Sequence, residues 1–315
     1  MKQLTRLECA DWLLSRDRFT ILTHRKPDGD TLGSATALCL GLRQLGKTAH
    51  VLQNEEVTPL YAPLLEGLTK PQAEEGDILI AVDVAADSML PKSYADMKNA
   101  IDLRIDHHGS GREYTPNEFV DSQSAACAEM IWELLLDMGV AGDQKIAEAV
   151  YVGVSTDTGC FRFANTTAHT FDVAADCVFA GADIFEWNRK LFDTNSLAKL
   201  RLQAWVTDHF ELLCDGKIAI CALPKAVEEE IGVSEDDMNN ISGFLRSIEG
   251  VCIAALLRDV DKENTKVSIR SIPGYNAAYI CEQFGGGGHP GAAGASLHMS
   301  LEKATEAVKN ALPKL

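Results

Sequence analysis

The chain has 315 residues, of which 46% are hydrophobic and 24% are charged, and its formal net charge is −17. This composition is normal for a soluble globular protein with one large domain or two medium ones. The negative charge argues against long duplex nucleic acid as a partner, because the many phosphates would be repelled. A short nucleotide held in a local basic pocket remains compatible with it.

Nine cysteines are scattered along the chain without a C-x-x-C pair. An odd, unpatterned set that lies mostly in apolar stretches is typical of small buried hydrophobes in a reducing compartment. We therefore expect a cytoplasmic protein. Residues 1–22 lack a signal-peptide pattern and no apolar run approaches the length of a membrane span, so we expect no membrane association.

Strands and helices alternate over the first part of the chain. Strands are predicted at 19–23, 49–52, 77–83 and 100–105. Helices are predicted at 3–17, 32–45, 124–138, 143–153 and 168–180. This alternation predicts a parallel, doubly wound sheet, in which the ligand site lies beyond the carboxyl ends of the strands.

The second part of the chain predicts a smaller α/β domain. Its predicted elements are a strand at 217–222, a helix at 238–247, strands at 251–257 and 265–272, and a Gly-rich loop at 285–288. We predict an α/β fold in three segments: a catalytic metal-binding domain, 1–185, a helical linker, 186–210, and a substrate-binding domain, 211–315. Trp187 and Trp205 of the linker could serve either domain packing or a dimer contact.

Acidic and histidine-rich clusters follow three predicted strands and one predicted helix of the first domain. Their members are His24, Asp28 and Asp30, then Asp83, then Asp106, His107 and His108, and finally Asp157. The strand-end positions point to the same edge of the sheet that the fold rule selects. Such a set of carboxylates and imidazoles can hold two divalent cations, which usually indicates hydrolysis of a phosphate ester. Oxygen-rich ligands favour Mn²⁺ or Mg²⁺ over a structural Zn²⁺.

Each cluster taken alone also has an ordinary structural explanation. The pair of aspartates around Gly29 could be a turn followed by a helix cap, and Asp83 and Asp157 could be capping residues. Adjacent histidines on an extended chain point to opposite faces, so only one of His107 and His108 would naturally face a metal. Asp106 could then orient one imidazole.

The Gly-rich segment is the candidate phosphate-binding element of the second domain. Consecutive glycines let backbone N–H groups approach an anion closely, although the lysine and spacing of a P-loop are missing. A flexible hinge is the alternative interpretation. Upstream, two polar residues share one face of a predicted strand and could bind a second phosphate or a base, or could simply be exposed. The predicted substrate-binding residues are Ser268, Arg270, Gly286, Gly287, Gly288 and His289.

These motifs resemble the DHH/DHHA1 phosphoesterase superfamily. H-x-x-P-D-G-D-x-x-G-S spans 24–34, D-H-H spans 106–108, S-T-D-T-G-x-F-R-F spans 155–163, and G-G-G-G-H-P-x-A-A-G spans 285–294. The resemblance covers nearly the whole chain in the family's order. Within the superfamily the chain resembles the short NrnA-type oligoribonucleases, which also remove the 3′-phosphate from adenosine 3′,5′-bisphosphate (pAp).

The resemblance implies specific roles for the clustered residues. One Mn²⁺ would be held by His24, Asp28 and Asp83. The other would be held by Asp30, Asp83, His107 and Asp157. His108 would lie near the scissile phosphate, Asp106 would support the histidines, and Asp83 would bridge the two cations. Arg270, Gly286, Gly287, Gly288 and His289 would bind substrate phosphate.

We therefore expect a metal-dependent hydrolase acting on short oligoribonucleotides and pAp. Two alternatives stay open: a phosphodiesterase for cyclic di-AMP or pApA that uses the same residues, and a catalytically silent nucleotide-binding module. Inorganic pyrophosphatase activity is disfavoured, because those relatives resemble a different second domain without the G-G-G-G-H motif. Base preference could depend on Arg104, Tyr114 or Arg258. The ranking of substrates, the cleavage direction and a possible homodimer are left open.

Overall fold

The computed structural model describes residues 2–109 and 113–313 and divides the chain into two compact units, Met1–Thr194 and Asn195–Leu315. The predicted α/β class is confirmed, because a large parallel sheet lies in the first unit and a smaller mixed sheet in the second. In the described residues no helix combines the length and the apolar character needed to cross a membrane.

The described residues of the first unit form one seven-stranded parallel sheet. Its strands are β1 (Lys2–Gln3), β2 (Arg18–Leu22), β3 (Thr48–Leu52), β4 (Thr69–Lys70), β5 (Ile78–Val82), β6 (Leu103–Asp106) and β7 (Asn117–Val120). The order β1-β7-β6-β5-β2-β3-β4 places β5 in the middle. Sequence analysis missed β1, β4 and β7, which are too short to show a hydrophobic pattern of their own.

Both faces of this sheet are covered, which is why its central strands are continuously apolar. The helices are α1 (Arg6–Leu14), α2 (Gly29–Gln44), α3 (Cys127–Asp137), α4 (Gln144–Asp157), α5 (Ala168–Phe179) and α6 (Ile184–Asn188). Ile80 and Val82 of β5 face the main core, whereas Leu79 and Ala81 face a second cluster that contains Tyr94.

Glycines bring α2 and α4 into backbone contact. A Cβ atom on Gly33 would lie 2.3 Å from the carbonyl oxygen of Ala149, and one on Gly29 would lie 2.4 Å from Oγ1 of Thr156. Real Cβ atoms do not approach other atoms this closely, so only glycine fits. This contact draws the start of α2 towards the end of α4, where two of the candidate site residues lie.

We expect Gly33→Ala to destabilise the protein by about 2 kcal/mol, because overpacking against a backbone carbonyl outweighs the gain in helix propensity. Gly41→Ala is the matched control on the same helix. Its Cβ would meet the flexible end of Leu135 instead of backbone, so we expect a smaller loss. Urea unfolding of both variants measures the difference, and a Gly33→Ala protein as stable as the parent would contradict the packing argument.

The described residues of the second unit form a six-stranded sheet. Its strands are β8 (Glu211–Leu213), β9 (Ile218–Leu223), β10 (Ile253–Asp261), β11 (Asn264–Ser271), β12 (Gly287–His289) and β13 (Ala292–Leu297). They lie in the order β12-β13-β11-β10-β9-β8, and only β9 and β10 pair in parallel. The helices are α7 (Leu197–His209), α8 (Lys225–Ile231), α9 (Ile241–Arg246), α10 (Ala277–Glu282) and α11 (Leu301–Ala311).

The segment predicted as a linker, 186–210, is divided between the two units. Leu202 and Val206 of α7 are fully buried in a core that includes residues of β9 and β10, so this helix is part of the second unit. Trp187 is buried in the core of the first unit. Its apolar surface is therefore used in packing within that unit.

The Gly-rich segment differs from the predicted loop, because its end forms edge strand β12 on β13. A Cβ atom on Gly286 would lie 2.2 Å from the carbonyl oxygen of Gly294, and one on Gly288 would lie 2.5 Å from that of Ala292. Gly288 also has a φ of +142°, which side-chain-bearing residues rarely adopt. The glycines thus allow close strand pairing where the sequence predicted a phosphate-binding loop, with a flexible hinge as the alternative.

Candidate metal centre and phosphate-binding face

The ends of three adjacent strands position the first candidate ligands. Strands β2, β5 and β6 are neighbours in the sheet. His24 lies two residues beyond β2, Asp83 follows β5 directly, and Asp106 is the last residue of β6. This placement agrees with the prediction that these residues meet at one edge of the sheet.

Two helices supply the remaining carboxylates, in a way that differs from the sequence prediction. The side chain of Asp28 caps α2 by accepting hydrogen bonds from the backbone N–H groups of Asp30 and Thr31, so the helix begins at Gly29, three residues earlier than predicted. Asp30 therefore lies in the first turn of a helix and not in an extended turn. Asp157 is the last residue of α4 instead of a loop residue.

The hydroxyl residues beyond the predicted end of α4 form hydrogen bonds back to the helix. Oγ1 of Thr156 donates to the carbonyl oxygen of Val152 at 2.8 Å, and Oγ1 of Thr158 donates to that of Val154. These bonds satisfy polar side chains within the helix itself. A cluster of serine and threonine, which suggested a cap, is instead compatible with one further helical turn.

Asp83 lies between two groups of candidate ligands. Its Oδ2 is 3.6 Å from Nε2 of His24, which is also 3.6 Å from Oδ1 of Asp28. Its Oδ1 is 3.6 Å from Nε2 of His107. The two oxygens of one carboxylate thus face two different sites.

The second group is built around His107. Its Nε2 is 3.7 Å from Oδ2 of Asp30 and 3.5 Å from Oδ2 of Asp157. Its Nδ1 lies 3.1 Å from the carbonyl oxygen of Ser124, an interaction that directs Nε2 towards the carboxylates. Asp83, His107 and His108 form a third group of donor atoms that lie within 4.8 Å of one another.

The donor set fits divalent cations. Oδ1 of Asp83 is buried and accepts no hydrogen bond among the described residues, and an uncompensated buried charge is costly. The separations of 3.5 to 3.7 Å between facing donor atoms are too long for good hydrogen bonds, which leaves room for an ion between them. Carboxylate oxygens with a minority of imidazoles are suitable ligands for such ions.

Asp30 is held by the N-terminus of α3. Its Oδ2 accepts from the backbone N–H of Cys127 at 2.7 Å, and its Oδ1 accepts from that of Ala128 at 2.9 Å. Residue Ala126, at the N-cap position, provides no side-chain bond. Sequence analysis missed this interaction, and its only signal is a helix that begins after two alanines without a local Ser, Thr, Asp or Asn cap.

Crowded carboxylates shift the acid–base equilibria of the site. Burial, followed by the charge of Asp83, raises the pKa of Asp30 to about 7. Burial and the neighbouring charges of Asp30 and Asp83 raise the pKa of Asp157 well above its usual range. Burial opposes the charge on His24, but the carboxylates outweigh it and raise the pKa of that imidazole.

We expect the metal-free protein to lose stability as the pH rises from about 5 to about 8. The folded state keeps a proton on Asp30 that the unfolded state releases above about 3.9, so this stabilising contribution is lost as the pH rises through the raised value near 7. The raised imidazole pKa of His24 acts in the same direction.

Thermal unfolding in EDTA at both pH values tests this expectation. Asp157→Asn removes one of the raised carboxylates, so we expect a weaker dependence of Tm on pH in that variant. Added Mn²⁺ should raise Tm most at the higher pH, where the carboxylates are ionised. A metal-free protein that is more stable at about pH 8 than at about pH 5 would contradict the electrostatic argument.

The two adjacent histidines do not point to opposite faces, so the prediction is wrong: Nε2 of His107 and Nδ1 of His108 lie 3.6 and 3.4 Å from the same oxygen, Oδ1 of Asp83. Their ring centroids are 4.7 Å apart with an interplanar angle of 64°. Asp106 supports His108, since its Oδ1 lies 2.8 Å from Nδ1 of His108. The side chain of His108 keeps 20% of its surface exposed, so a ligand can reach it.

In the second unit, four of the six predicted substrate-binding residues share one face of the sheet: Ser268, Arg270, Gly287 and His289. Gly288 instead pairs with core residue Ala293, and Gly286 precedes β12. Arg270 on β11 is in register with Ala292 on β13, which is in register with His289 on β12. The next row of cross-strand partners on the same face contains Ser268, Gly294 and Gly287. The alternate residues of β11, such as Ile269, point into the core.

The face formed by these rows presents a positive charge. Burial and the charge of the neighbouring Arg246 lower the pKa of Arg270. Among the described residues no carboxylate lies within salt-bridge distance of either guanidinium, so an anion would relieve their repulsion. Sequence analysis missed Arg246. An arginine on a helix such as α9 looks like an ordinary surface residue in the sequence.

The side chains considered for base preference are engaged elsewhere. The guanidinium of Arg104 is buried and lies 2.9 Å from Oε2 of Glu118. Arg258 pairs with Glu228 at 2.6 Å and with Glu235 at 2.8 Å. Both arginines therefore stabilise protein carboxylates, and the expectation that they face a base is not supported.

Two family models match this chain. The model described as the DHH family, N-terminal domain, matches residues 18–154, and the DHHA1 domain matches residues 215–314. The chain therefore belongs to the DHH family and carries a DHHA1 domain, and the resemblance inferred from the motifs is confirmed.

Its relatives include named enzymes of nearly the same length. The bifunctional oligoribonuclease and PAP phosphatase NrnA of Thermus thermophilus is 35% identical over 296 residues, which cover 93% of this chain and 88% of that protein. The NrnA protein of Bacillus subtilis is 28% identical over 290 residues, which cover 89% and 90%.

Solved structures share the fold. An exopolyphosphatase-related protein from Bacteroides fragilis aligns with a TM-score of 0.87 at 23% identity, over 97% of this chain and 95% of that one. Exonuclease RecJ bound to manganese aligns with a TM-score of 0.54 at 15% identity, over 100% and 96%. At such identities the alignments establish the fold alone.

Proposed function

We propose that this protein is a metal-dependent phosphoesterase that hydrolyses short oligoribonucleotides and removes the 3′-phosphate from pAp. The observation that carries the proposal is the placement of Asp83, whose two carboxylate oxygens face two separate groups of histidine and aspartate. Full-length relatives named as bifunctional oligoribonuclease and PAP phosphatase support the substrate class.

The proposed ligand sets follow the two groups around Asp83. One cation is assigned to His24, Asp28 and Asp83. The other is assigned to Asp30, Asp83, His107 and Asp157. We propose Mn²⁺ as the metal, with Mg²⁺ as a substitute, because oxygen donors predominate over nitrogen donors. When bound, such cations supply Lewis-acid activation of water and stabilisation of charge on the phosphate oxygens.

The residues of the chain orient the reacting groups. Asp106 occupies Nδ1 of His108, so the other ring nitrogen is the one that can point at a ligand. Burial opposes a charge on His108, but Asp106 and Asp83 outweigh it and raise the pKa of the imidazole. A protonated His108 can donate a hydrogen bond or a proton to the phosphate or to the leaving oxygen.

Substrate phosphate is assigned to the open face of the second unit. The guanidinium of Arg270 and the side chain of His289 lie in one row of that face, and Gly287 presents backbone without a side chain. A small number of phosphate contacts favours short substrates. The net charge of −17 disfavours long nucleic acid for the same electrostatic reason.

Release of phosphate and nucleotides tests the proposal directly. The substrates are pAp, an RNA trimer, pApA and cyclic di-AMP, each with Mn²⁺ and again with EDTA. Metal-dependent turnover of pAp and the trimer is the expected result. A strong preference for cyclic di-AMP or pApA would assign the site to second-messenger turnover, and tight nucleotide binding without turnover would favour a binding module.

We expect His289→Ala to raise KM for pAp about 10-fold, because one hydrogen bond to a charged phosphate contributes roughly 1.5 kcal/mol. Mn²⁺ affinity should not change, since His289 lies in the second unit. His298→Ala is the control, because His298 is exposed and bonds Asn264. Loss of Mn²⁺ binding in His289→Ala would show that the role assigned to the Gly-rich segment is wrong.

A cytoplasmic location and a possible homodimer remain predictions. All nine cysteines are free and most are buried, which supports a reducing compartment. Sedimentation of the purified protein would determine the oligomeric state.

A further inference from the structure

A buried cation lies beside the candidate metal centre. Arg104 on β6 has a side chain that is only 3% exposed, and it is in register with Glu118 of β7. Its Nη2 donates to Oε2 of Glu118 at 2.9 Å. The other oxygen of Glu118 accepts from the backbone N–H of Tyr114 at 3.1 Å. A buried ion pair with such supporting bonds is an ordered element of the structure.

This pair and Tyr114 hold the backbone that follows Asp83. Nη1 of Arg104 donates to the carbonyl oxygen of Ala85 at 3.0 Å, and the hydroxyl of Tyr114 donates to that of Val84 at 2.9 Å. We call Arg104, Glu118 and Tyr114 the Arg104 clamp. The clamp therefore binds the carbonyl groups of Val84 and Ala85. These two residues directly follow Asp83, whose carboxylate faces both ligand groups.

The backbone of Asp83 needs such support. Its φ is +56°, in the left-handed region that residues other than glycine seldom occupy. Conformations of this kind cost of order 1–3 kcal/mol and persist only when the surrounding structure fixes them. The two hydrogen bonds from the clamp fix the segment in which Oδ1 and Oδ2 point to different sites.

The guanidinium of Arg104 also lies near Asp106, the carboxylate that supports His108. Nη1 of Arg104 lies 3.6 Å from Oδ2 of Asp106, an oxygen that accepts no hydrogen bond among the described residues. The other oxygen of Asp106 contacts Nδ1 of His108 at 2.8 Å. One buried cation thus compensates the carboxylate that orients His108 and grips the backbone after Asp83.

We propose that the Arg104 clamp is a positioning device that sets the carboxylate of Asp83 and the imidazole of His108 relative to each other. The proposal rests on the proposed function, because it assigns the clamp to the same metal centre. An ordinary buried salt bridge would contribute to stability alone. The clamp instead predicts changes in metal affinity and in kcat that exceed any effect of its loss on folding.

Tyr114→Phe is the most informative variant, because it removes one hydroxyl-to-carbonyl bond and little volume. We expect Mn²⁺ affinity, measured by calorimetric titration with the metal alone, to fall about 10-fold. At saturating Mn²⁺, kcat for pAp should fall by about 10- to 100-fold while KM stays nearly constant. Tyr151→Phe is the matched control, since its buried hydroxyl bonds Asn188 at 3.0 Å.

A second series of variants tests Arg104 and Glu118, the charged residues of the Arg104 clamp. Arg104→Lys keeps the positive charge but offers a single donor group, which cannot reproduce the planar fork. Arg104→Met combined with Glu118→Gln removes both charges of the ion pair together, so that Glu118 is not left as an unpaired buried carboxylate, while Asp106 loses its neighbouring cation. We expect Mn²⁺ affinity and kcat to decrease in the order parent, Arg104→Lys, double variant. Partial rescue by lysine would distinguish a positioning charge from a space-filling side chain.

The outcomes separate this inference from the proposed function. If the parent protein is active and Tyr114→Phe matches Tyr151→Phe in Mn²⁺ affinity and kcat, the clamp is purely structural and the inference is overturned. If the parent turns over none of the substrates while Tyr114→Phe still weakens Mn²⁺ binding, the clamp stands and the proposed function fails. Failure of the double variant to fold leaves the Tyr114→Phe comparison decisive.

Discussion

Asp83→Asn is expected to lower kcat by at least about 10³-fold, equal to about 4 kcal/mol of transition-state stabilisation. The carboxylate faces His24 on one side and His107 on the other, so its loss affects both proposed cation sites. Asparagine tolerates the left-handed backbone better than most residues, so the local conformation should persist. Calorimetric titration should show weaker binding of Mn²⁺ at both sites.

The folded state should survive this substitution. Oδ1 of Asp83 is a buried oxygen without a hydrogen bond among the described residues, so neutralising it removes a desolvation cost. We expect the Tm in EDTA to be equal to that of the parent or higher. Asp87→Asn is the control, because Asp87 is half-buried and pairs with Lys98 at 3.7 Å. Unchanged turnover in Asp83→Asn would refute the bridging role.

His108→Asn should separate catalysis from metal binding. Loss of a positioned proton donor lowers kcat by about 10²- to 10⁴-fold. Mn²⁺ affinity should stay close to that of the parent, because His108 belongs to neither proposed ligand set. The expected result is therefore a protein that binds two cations and turns over slowly.

The same variant also tests the ligand assignment. His108 lies within one group of donor atoms with Asp83 and His107, so the geometry alone permits it to be a ligand. Loss of one bound Mn²⁺ in His108→Asn would show that His108 is a metal ligand and not the proton donor. His169→Asn is the control, because this histidine is exposed on α5 and pairs with Glu133. Its kcat should equal that of the parent.

Sequence reasoning located the candidate site well because parallel strands carry strong patterns. The apolar residues of β5 end directly at Asp83, and the sheet order then places this residue beside the ends of β2 and β6. A continuous buried strand followed by a charged residue is visible without a structure. The confirmed class and family therefore rest on features that are local in sequence.

The remaining features depend on contacts between distant residues. The hydrogen bond from Cys127 to Asp30 joins residues that are 97 positions apart. The pairing of Arg104 with Glu118 depends on strand β7, which has only four residues. Which helix Gly33 meets is decided by the arrangement of the sheet, which hydrophobic periodicity does not encode.

The interaction between Asp30 and α3 makes one residue serve two purposes. Cys127 and Ala128 donate backbone hydrogen bonds to the same carboxylate that faces His107. A mutation that removes this carboxylate would therefore fray a helix as well as weaken a cation site. The side chain of Asp157 faces His107 but accepts no backbone hydrogen bond among the described residues, so inactivating changes should accumulate more easily there. A descendant that had abandoned hydrolysis would still be under pressure to keep Asp30.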